Sequence, residues 1–337
     1  PVAGPDDAAR LIDRLRDAIT APVLLEQEGV EASCGMSIGV ALWPRDATEL
    51  STLINNADLA MYRAKGSIAT DACFYEEEMD KTVRLRRRMV KELRAAIDHG
   101  ELSLHWQVQE SVGTGDVTGY EALLRWTRAD GSSVSPATFI PLAEQSGLIL
   151  TIGEWVLRTA CATAAAWPVP HRIAVNLSPV QLGHVDLPRL VQQVLLETGL
   201  PPARLELEIT ETAMITDPVR TIHVLRQLKA IGVSIAMDDF GTGYSSLSTL
   251  RSFPFDKIKL DRSFMSELNG GPQSAAIIRA VLALGESLDI PVLAEGVETP
   301  GQLDFLREQG CDEAQGYLLG RPGPLPARTA ERLRLTG

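Results

Sequence analysis

The sequence predicts an α/β protein: a TIM-type (β/α)8 barrel with one reversed, antiparallel strand, preceded by a smaller, partial α/β module. Three observations predict it. From residue 101 onward, short β-type runs alternate with helical runs, giving eight strands in about 235 residues, the rhythm of such a barrel. Residues 109–116 (QESVGTGD), between the first two strands, are too few for a helical crossover but hold a glycine-rich turn, so these strands should run antiparallel. Polar residues recur at or just after the middle of six different strands, where a barrel interior otherwise favours Val, Ile and Leu.

In chain order, residues 6–20 carry apolar positions at helical spacing, 31–43 (EASCGMSIGVALW) alternate as a half-buried strand does, and 50–65 return to a helical period. Residues 1–78 are therefore expected to form the small module. From Met79 to His99 the chain is helical and arginine-rich (Arg84, Arg86, Arg87, Arg88, Arg94), with Val83, Leu85, Met89, Val90 and Leu93 between the charges. A solvated helix with one apolar stripe explains this better than a phosphate-binding patch, so 79–100 is expected to be a linker helix and 101–337 the barrel. The barrel strands are expected at 102–108, 117–124, 172–177, 204–210, 233–238, 256–260, 291–295 and 312–318. Helices are expected at 150–166, 187–199, 217–231, 273–288 and 299–309.

Length and composition agree with two domains: 337 residues at roughly 150 per domain. The net charge of −12 would repel the phosphates of bulk nucleic acid. No apolar run approaches the ~18 residues of a membrane span, and the first residues lack a signal-peptide layout. Cys34, Cys73, Cys161 and Cys311 are too dispersed for a zinc ribbon or disulfide framework. A cytoplasmic setting is the expectation.

The barrel's polar residues carry the functional argument. Glu121, Asn176, Glu208, Asp238 with Asp239, Glu295 and Gln315 fall in six strands, and Lys259 sits near the end of a seventh. Barrel enzymes place their chemistry at the C-terminal mouth. One such carboxylate alone is more simply a solvated loop acid; the set in register is not. The five carboxylates carry −5, and unit charges ~4 Å apart repel by about 4 kcal/mol per pair at an effective dielectric of ~20. Lys259 returns +1, and two divalent cations would neutralise the remainder. The ligands are all oxygen donors and no histidine stands at metal-ligand spacing, which favours Mg2+, Mn2+ or Ca2+ over zinc. Paired cations of this kind activate water for displacement at phosphorus, so a phosphodiester substrate follows. Gly241-Thr242-Gly243 is a poor dinucleotide fingerprint, since Ser246 stands where a third glycine belongs, and a loop over the metals is the better reading.

At these residues the sequence resembles the EAL family of cyclic di-GMP phosphodiesterases, over about residues 82 to 333. The matching stretches are Glu121-Ala122-Leu123-Leu124-Arg125-Trp126, SPATFIPLAEQSGLI (135–149), AVNLS (174–178), LELEITE (205–211), DDFGTGYSSL (238–247), KIKLDRSF (257–264), AEGVET (294–299) and DEAQGYL (312–318). The resemblance implies that Glu121, Asn176, Glu208 and Asp238 hold one metal, and that Asp238, Asp239 and Glu295 hold the second. It implies that Lys259 orients or deprotonates the attacking water, with Gln315 in support. Glu211 would anchor the loop after Asp239, and Gln107 and Arg125 would bind substrate. The implied reaction is hydrolysis of cyclic di-GMP to linear pGpG with Mg2+ or Mn2+, calcium being inhibitory, in a homodimer formed through this domain. One departure is visible: the family's Gln-Pro-Ile reads Gln107-Val108-Gln109 here, which bears on affinity more than on chemistry.

Residues 1–78 resemble the C-terminal part of a GGDEF diguanylate cyclase domain, through SIGVALWP (37–44) and NNADLAMYRAK (55–65). The signature hairpin and early metal aspartate are not in this stretch, so cyclase activity is not expected from it. Half of such a sheet would leave strand edges open, which favours a fragment of a longer GGDEF–EAL protein over a remnant with a packing role. Two rival readings of the barrel are a cyclic di-GMP receptor that binds without cleaving, and a glycosidase with paired carboxylates. The full acid set speaks against the receptor; the glycosidase leaves Asn176 and Lys259 without a role.

Overall fold

The computed structural model describes residues 4–25, 30–32, 34–65, 71–183, 186–213, 217–241, 253, 255–268 and 272–324. The chain divides into two compact units, Pro1–Glu92 and Leu93–Gly337.

In the first unit, helix α1 (Pro5–Thr20) precedes an antiparallel hairpin of β1 (Val23–Leu25) and β2 (Val30–Ala32). Strand β3 (Ile38–Val40), helix α2 (Leu50–Lys65) and strand β4 (Ala72–Phe74) follow as a parallel βαβ unit. Ala60, Tyr75 and Met79 are buried together, with Ala41, Leu59 and Cys73 packed against them. Arg16 clamps Asp71 with two hydrogen bonds, 2.6 and 2.8 Å. The single strand expected over 31–43 is corrected: β2 and β3 belong to separate sheets, and residues 34–37 between them have no regular structure. Alternation alone could not reveal that its two halves find different partners. Helix α3 (Glu77–Asp98) overlaps residues 79–98 of the expected linker helix, with 99 and 100 in a turn, and the division between the units falls within it.

The second unit is the barrel. Strands β5 (Leu102–Ser111) and β6 (Val117–Thr127) form the expected antiparallel pair, and the two-residue β7 (Ser133–Val134) adds to β6. Helices α4 (Pro136–Gln145) and α5 (Leu148–Ala165) lead to β8 (Arg172–Leu177). Then come α6 (Pro179–Leu182), α7 (Leu187–Thr198), β9 (Leu205–Thr210), α8 (Pro218–Ile231) and β10 (Ser234–Phe240). The series ends with β11 (Lys257–Leu260), α9 (Arg262–Ser266), α10 (Pro272–Leu288), β12 (Val292–Ala294), α11 (Pro300–Glu308) and β13 (Glu313–Ala314). The ring runs β5-β13-β12-β11-β10-β9-β8-β6 and closes through β5–β6. Every ring pairing is parallel except the two made by β5, antiparallel to β6 and to β13.

Local chemistry sets these bounds. Asp217 caps α8 through the Arg220 N–H, 3.1 Å, and Gly232 ends it at φ 100°. Thr299 and Gln302 form a capping box that starts α11. The outward faces of the strands (Ile173, Val175, Leu205, Leu207, Ile209, Ile235, Ile258) are buried under helix residues such as Ile152, Leu157, Val191, Leu225 and Ile278. Each such side chain contributes about 1.5–3 kcal/mol by its burial. Helix α5 is the one helix among the described residues long and apolar enough to cross a membrane, a length of apolar chain that the sequence reading did not register. It buries nine of its residues, as a barrel core helix does.

The last expected strand, 312–318, shortens to Glu313–Ala314, and the chain then turns. A Cβ at Gly316 would stand 2.1 Å from the Val297 carbonyl oxygen, so only glycine permits this approach, which the Leu318 N–H to Val297 O bond, 3.0 Å, fastens.

Candidate functional site

Side chains two apart on a strand share a face, so each inward residue has a companion one rung below it. Alternate strands β6, β9 and β11 contribute Glu121, Glu208 and Lys259 to one layer at the mouth, joined by Gln315 just past the end of β13. The intervening β8 and β10 contribute Asn176 and Asp238, and Glu295 follows the end of β12.

Lys259 is the hub. Its side chain is fully buried, and Nζ lies 2.8 Å from Glu208 Oε2, 2.7 Å from Glu295 Oε1, 3.1 Å from Asp238 Oδ1 and 3.8 Å from Glu121 Oε2. Burial by itself would strip the proton from this amine; Asp238, Glu121, Glu208 and Glu295 outweigh burial and hold it well above the usual lysine range. One ammonium cannot satisfy four carboxylates. Glu208 is pushed well above the carboxylate range by burial and by Glu121, and Glu295 up to about 7 by burial, with Asp238 and Glu121 adding to it against Lys259. Glu121 goes the other way: against burial, Lys259 and hydrogen bonds from Gln315 and Asn176 hold it low. Those bonds are Asn176 Nδ2 to Oε1, 2.6 Å, and Gln315 Nε2 to Oε2, 2.5 Å.

Asp239 joins the cluster by a backbone device. Adjacent residues of a regular strand face opposite ways, but Asp239 has φ 55° and the β10–β11 register shifts between Met237 and Phe240. Its carboxylate thereby comes within 4.8 Å of those of Asp238 and Glu295. Burial and the neighbouring Asp238 and Asp261 raise it to about 6. Left-handed backbone at a residue with a side chain costs about 1–3 kcal/mol and recurs at functional sites.

These residues fit divalent cations. Among the described residues Glu208 Oε1 is buried without a hydrogen-bond donor, and Asp238 Oδ1 meets Lys259 only as an ion contact. The donors are hard oxygens, and their negative charge exceeds what Lys259 offsets. Among the described residues, Asp238, Asp239 and Glu295 bring carboxylate oxygens close enough together that they could share one ion.

The rim is a chain of amides. Gln315 Nε2 also donates to Gln107 Oε1, 3.1 Å; Gln107 Nε2 donates to Gly320 O, 3.1 Å; and Gln109 Nε2 donates to Gln315 Oε1, 3.0 Å. Sequence reading missed Gln109 as a partner of Gln315; its position two after Gln107 on β5 was the available signal. Arg125, on the Glu121 face of β6, is half-buried with Nη1 on the Leu124 carbonyl, 2.9 Å. Val108 packs against Gly320, where a Cβ would stand 2.9 Å from Val108 Cγ1. Glu211 is buried just past β9 and its N–H meets Asp238 O, 3.3 Å. Residues 242–250, with Thr242, Gly243 and Ser246 of the expected loop, lie outside the described residues.

The EAL domain family matches residues 90–322. The chain belongs to the EAL domain family. Residues 2–69 match the diguanylate cyclase GGDEF domain. A signalling protein of Caulobacter vibrioides is 52% identical over 331 residues, 97% of this chain and 41% of that protein. The bifunctional diguanylate cyclase/cyclic di-GMP phosphodiesterase MucR of Pseudomonas aeruginosa is 42% identical over 324 residues, 95% of this chain and 47% of that protein. The solved structure of the MucR phosphodiesterase in complex with c-di-GMP superposes with TM-score 0.69 at 43% identity, covering 71% of this chain and 98% of that one. The chain spans between two-fifths and half of the length of these curated relatives.

Proposed function

We propose that the EAL unit, residues 101–337, hydrolyses cyclic di-GMP to linear pGpG, with 1–78 a GGDEF part and 79–100 a linker helix. The observation that carries it is the over-acidic ring around Lys259, one ammonium within 4.0 Å of four carboxylates at a barrel mouth. Glu121, Asn176, Glu208 and Asp238 would hold one divalent cation and Asp238, Asp239 and Glu295 a second; such a pair, Mg2+ or Mn2+, supplies an activated water and neutralises phosphate charge.

The chain's own groups do the rest. Water oxygen attacks phosphorus in line and gives up one proton to solvent, one ester P–O bond of the macrocycle breaks, and the departing ribose oxygen takes a proton back from solvent. Lys259, held protonated, donates to the attacking oxygen and orients it. Gln315 keeps Glu121 ionised and aimed. Arg125 and Gln107 would bind the phosphate and guanine of the substrate at the rim, and Glu211 would anchor the loop beyond Asp239. Pairing of two EAL units into a homodimer belongs to the same reading and is measured by sedimentation.

The test is incubation of the chain with cyclic di-GMP and Mg2+ or Mn2+, with and without EDTA, followed by chromatography. Metal-dependent pGpG is the expected product. Tight binding without cleavage would replace hydrolysis with a receptor function.

A further inference from the structure

One rung below the mouth lies a second buried ion cluster that the reaction does not use. Lys257 is 2% exposed; its Nζ lies 2.9 Å from Glu206 Oε1 and 2.7 Å from Glu313 Oε2. Arg172 Nη1 approaches the other Glu206 oxygen at 4.0 Å. Glu206 and Lys257 stand two residues before Glu208 and Lys259 on β9 and β11, and Glu313 on β13 stands two before Gln315, the residue that follows that strand. On the fourth strand of the layer, two before Glu121, Gly119 offers no side chain, and Gln109 Oε1 comes within 3.3 Å of where its Cβ would be.

We propose that Lys257, with Glu206 and Glu313, is a positioning triad that fixes the register of β9, β11 and β13 and thereby places Glu208, Lys259 and Gln315.

Stability alone gives little reason for such a cluster, because desolvating three charges offsets most of their attraction and well-packed apolar residues do as well. Barrel layers are ordinarily Val, Ile and Leu. The backbone supplies little register on this side: β11 pairs with β12 over three residues, β12 with β13 over two and β13 with β5 over two. A slip of one residue would turn Glu313 and Gln315 out of the barrel together. Lys257 bridges β11 to β9 and to β13, in each case across an intervening strand, which backbone hydrogen bonds cannot do. Apolar side chains would fill the same space without naming a partner.

The proposal rests on the phosphodiesterase reading for its kinetic arm. Four proteins are compared: wild type, the charge-free E206Q/K257M/E313Q, and the single variants E313Q and E313L. Each is measured for melting temperature, for kcat and KM on cyclic di-GMP, and for Mn2+ affinity by calorimetry without nucleotide. The charge-free variant is expected to melt within a few degrees of wild type, with kcat down about 10- to 100-fold, KM within about twofold, and Mn2+ bound several-fold more weakly. E313Q keeps an acceptor for Lys257 and should stay within about threefold of wild type, whereas E313L should fall with the charge-free variant. Wild-type kcat and Mn2+ affinity in the charge-free variant overturn the triad; if that variant does not fold, equal kcat and Mn2+ affinity in E313Q and E313L overturn it. An inactive wild type instead overturns the phosphodiesterase reading, and the Mn2+ titrations then decide the triad.

Discussion

The two ionic layers of the barrel are built alike and balanced differently. In the lower one Lys257 meets Glu206 and Glu313, with Arg172 at 4.0 Å, so positive and negative charges are equal in number. In the upper one Lys259 faces Glu121, Glu208, Asp238 and Glu295, with Asp239 beside them. Both ammonium groups are held above the usual lysine range, against burial, by their carboxylates. In the upper layer burial and neighbouring carboxylates also push Glu295 up to about 7 and Asp239 up to about 6. A buried ion set that closes on itself is architecture; one that does not close is prepared to take cations.

The largest expected effect separates the layers by chemistry. Glu121→Ala or Asp238→Ala should lower turnover by at least about 10²–10³-fold with the circular dichroism spectrum unchanged, since each removes a preorganised charge; retained turnover in either would break the metal assignment. Next comes stability. Lys259→Met and Lys257→Met each leave buried carboxylates unpaired and should cost about 3–5 kcal/mol in EDTA by urea denaturation. Mn2+ should restore most of that loss for Lys259→Met and little for Lys257→Met, because four carboxylates converge on the first ammonium and only two on the second. Equal rescue of both would dissolve the distinction.

Metal identity is a smaller step. Replacing Mg2+ or Mn2+ by Ca2+ should bind and inhibit, because calcium accepts irregular coordination and holds an attacking water less effectively. Acidity is smaller still. The raised Glu295 and Asp239 hold protons more tightly folded than unfolded, so without metal they contribute stability below the ordinary carboxylate range and lose it as pH rises through about 6 to 7. Cations compete with those same protons. Apparent Mn2+ affinity should therefore rise from pH 6 to 8 with proton release seen by calorimetry in two buffers; a flat profile would contradict the site. Smallest is V108P, which should shift KM a few-fold and leave kcat alone.

Much of the site was legible because strand period and barrel topology are simple rules. A residue at a strand's end and another some thirty residues on meet at the same mouth. Asp239 was harder: its neighbour Asp238 already occupied the inward position, and only a left-handed φ turns both to one side. Gln109 and the Lys257 layer were missed because each lay two residues from a position already in view. The first unit was misjudged where one alternating run, 31–43, serves two sheets.

The sequence by itself determined the barrel, its reversed strand and the excess of acid at the mouth, since these follow from hydrophobic period, loop length and formal charge. Tertiary structure alone decided that Lys259 touches four carboxylates at once and that Lys257, two residues away on the same strand, meets a balanced pair. Local sequence cannot encode that difference, because it depends on which alternate strands bring their side chains to each level of the closed barrel.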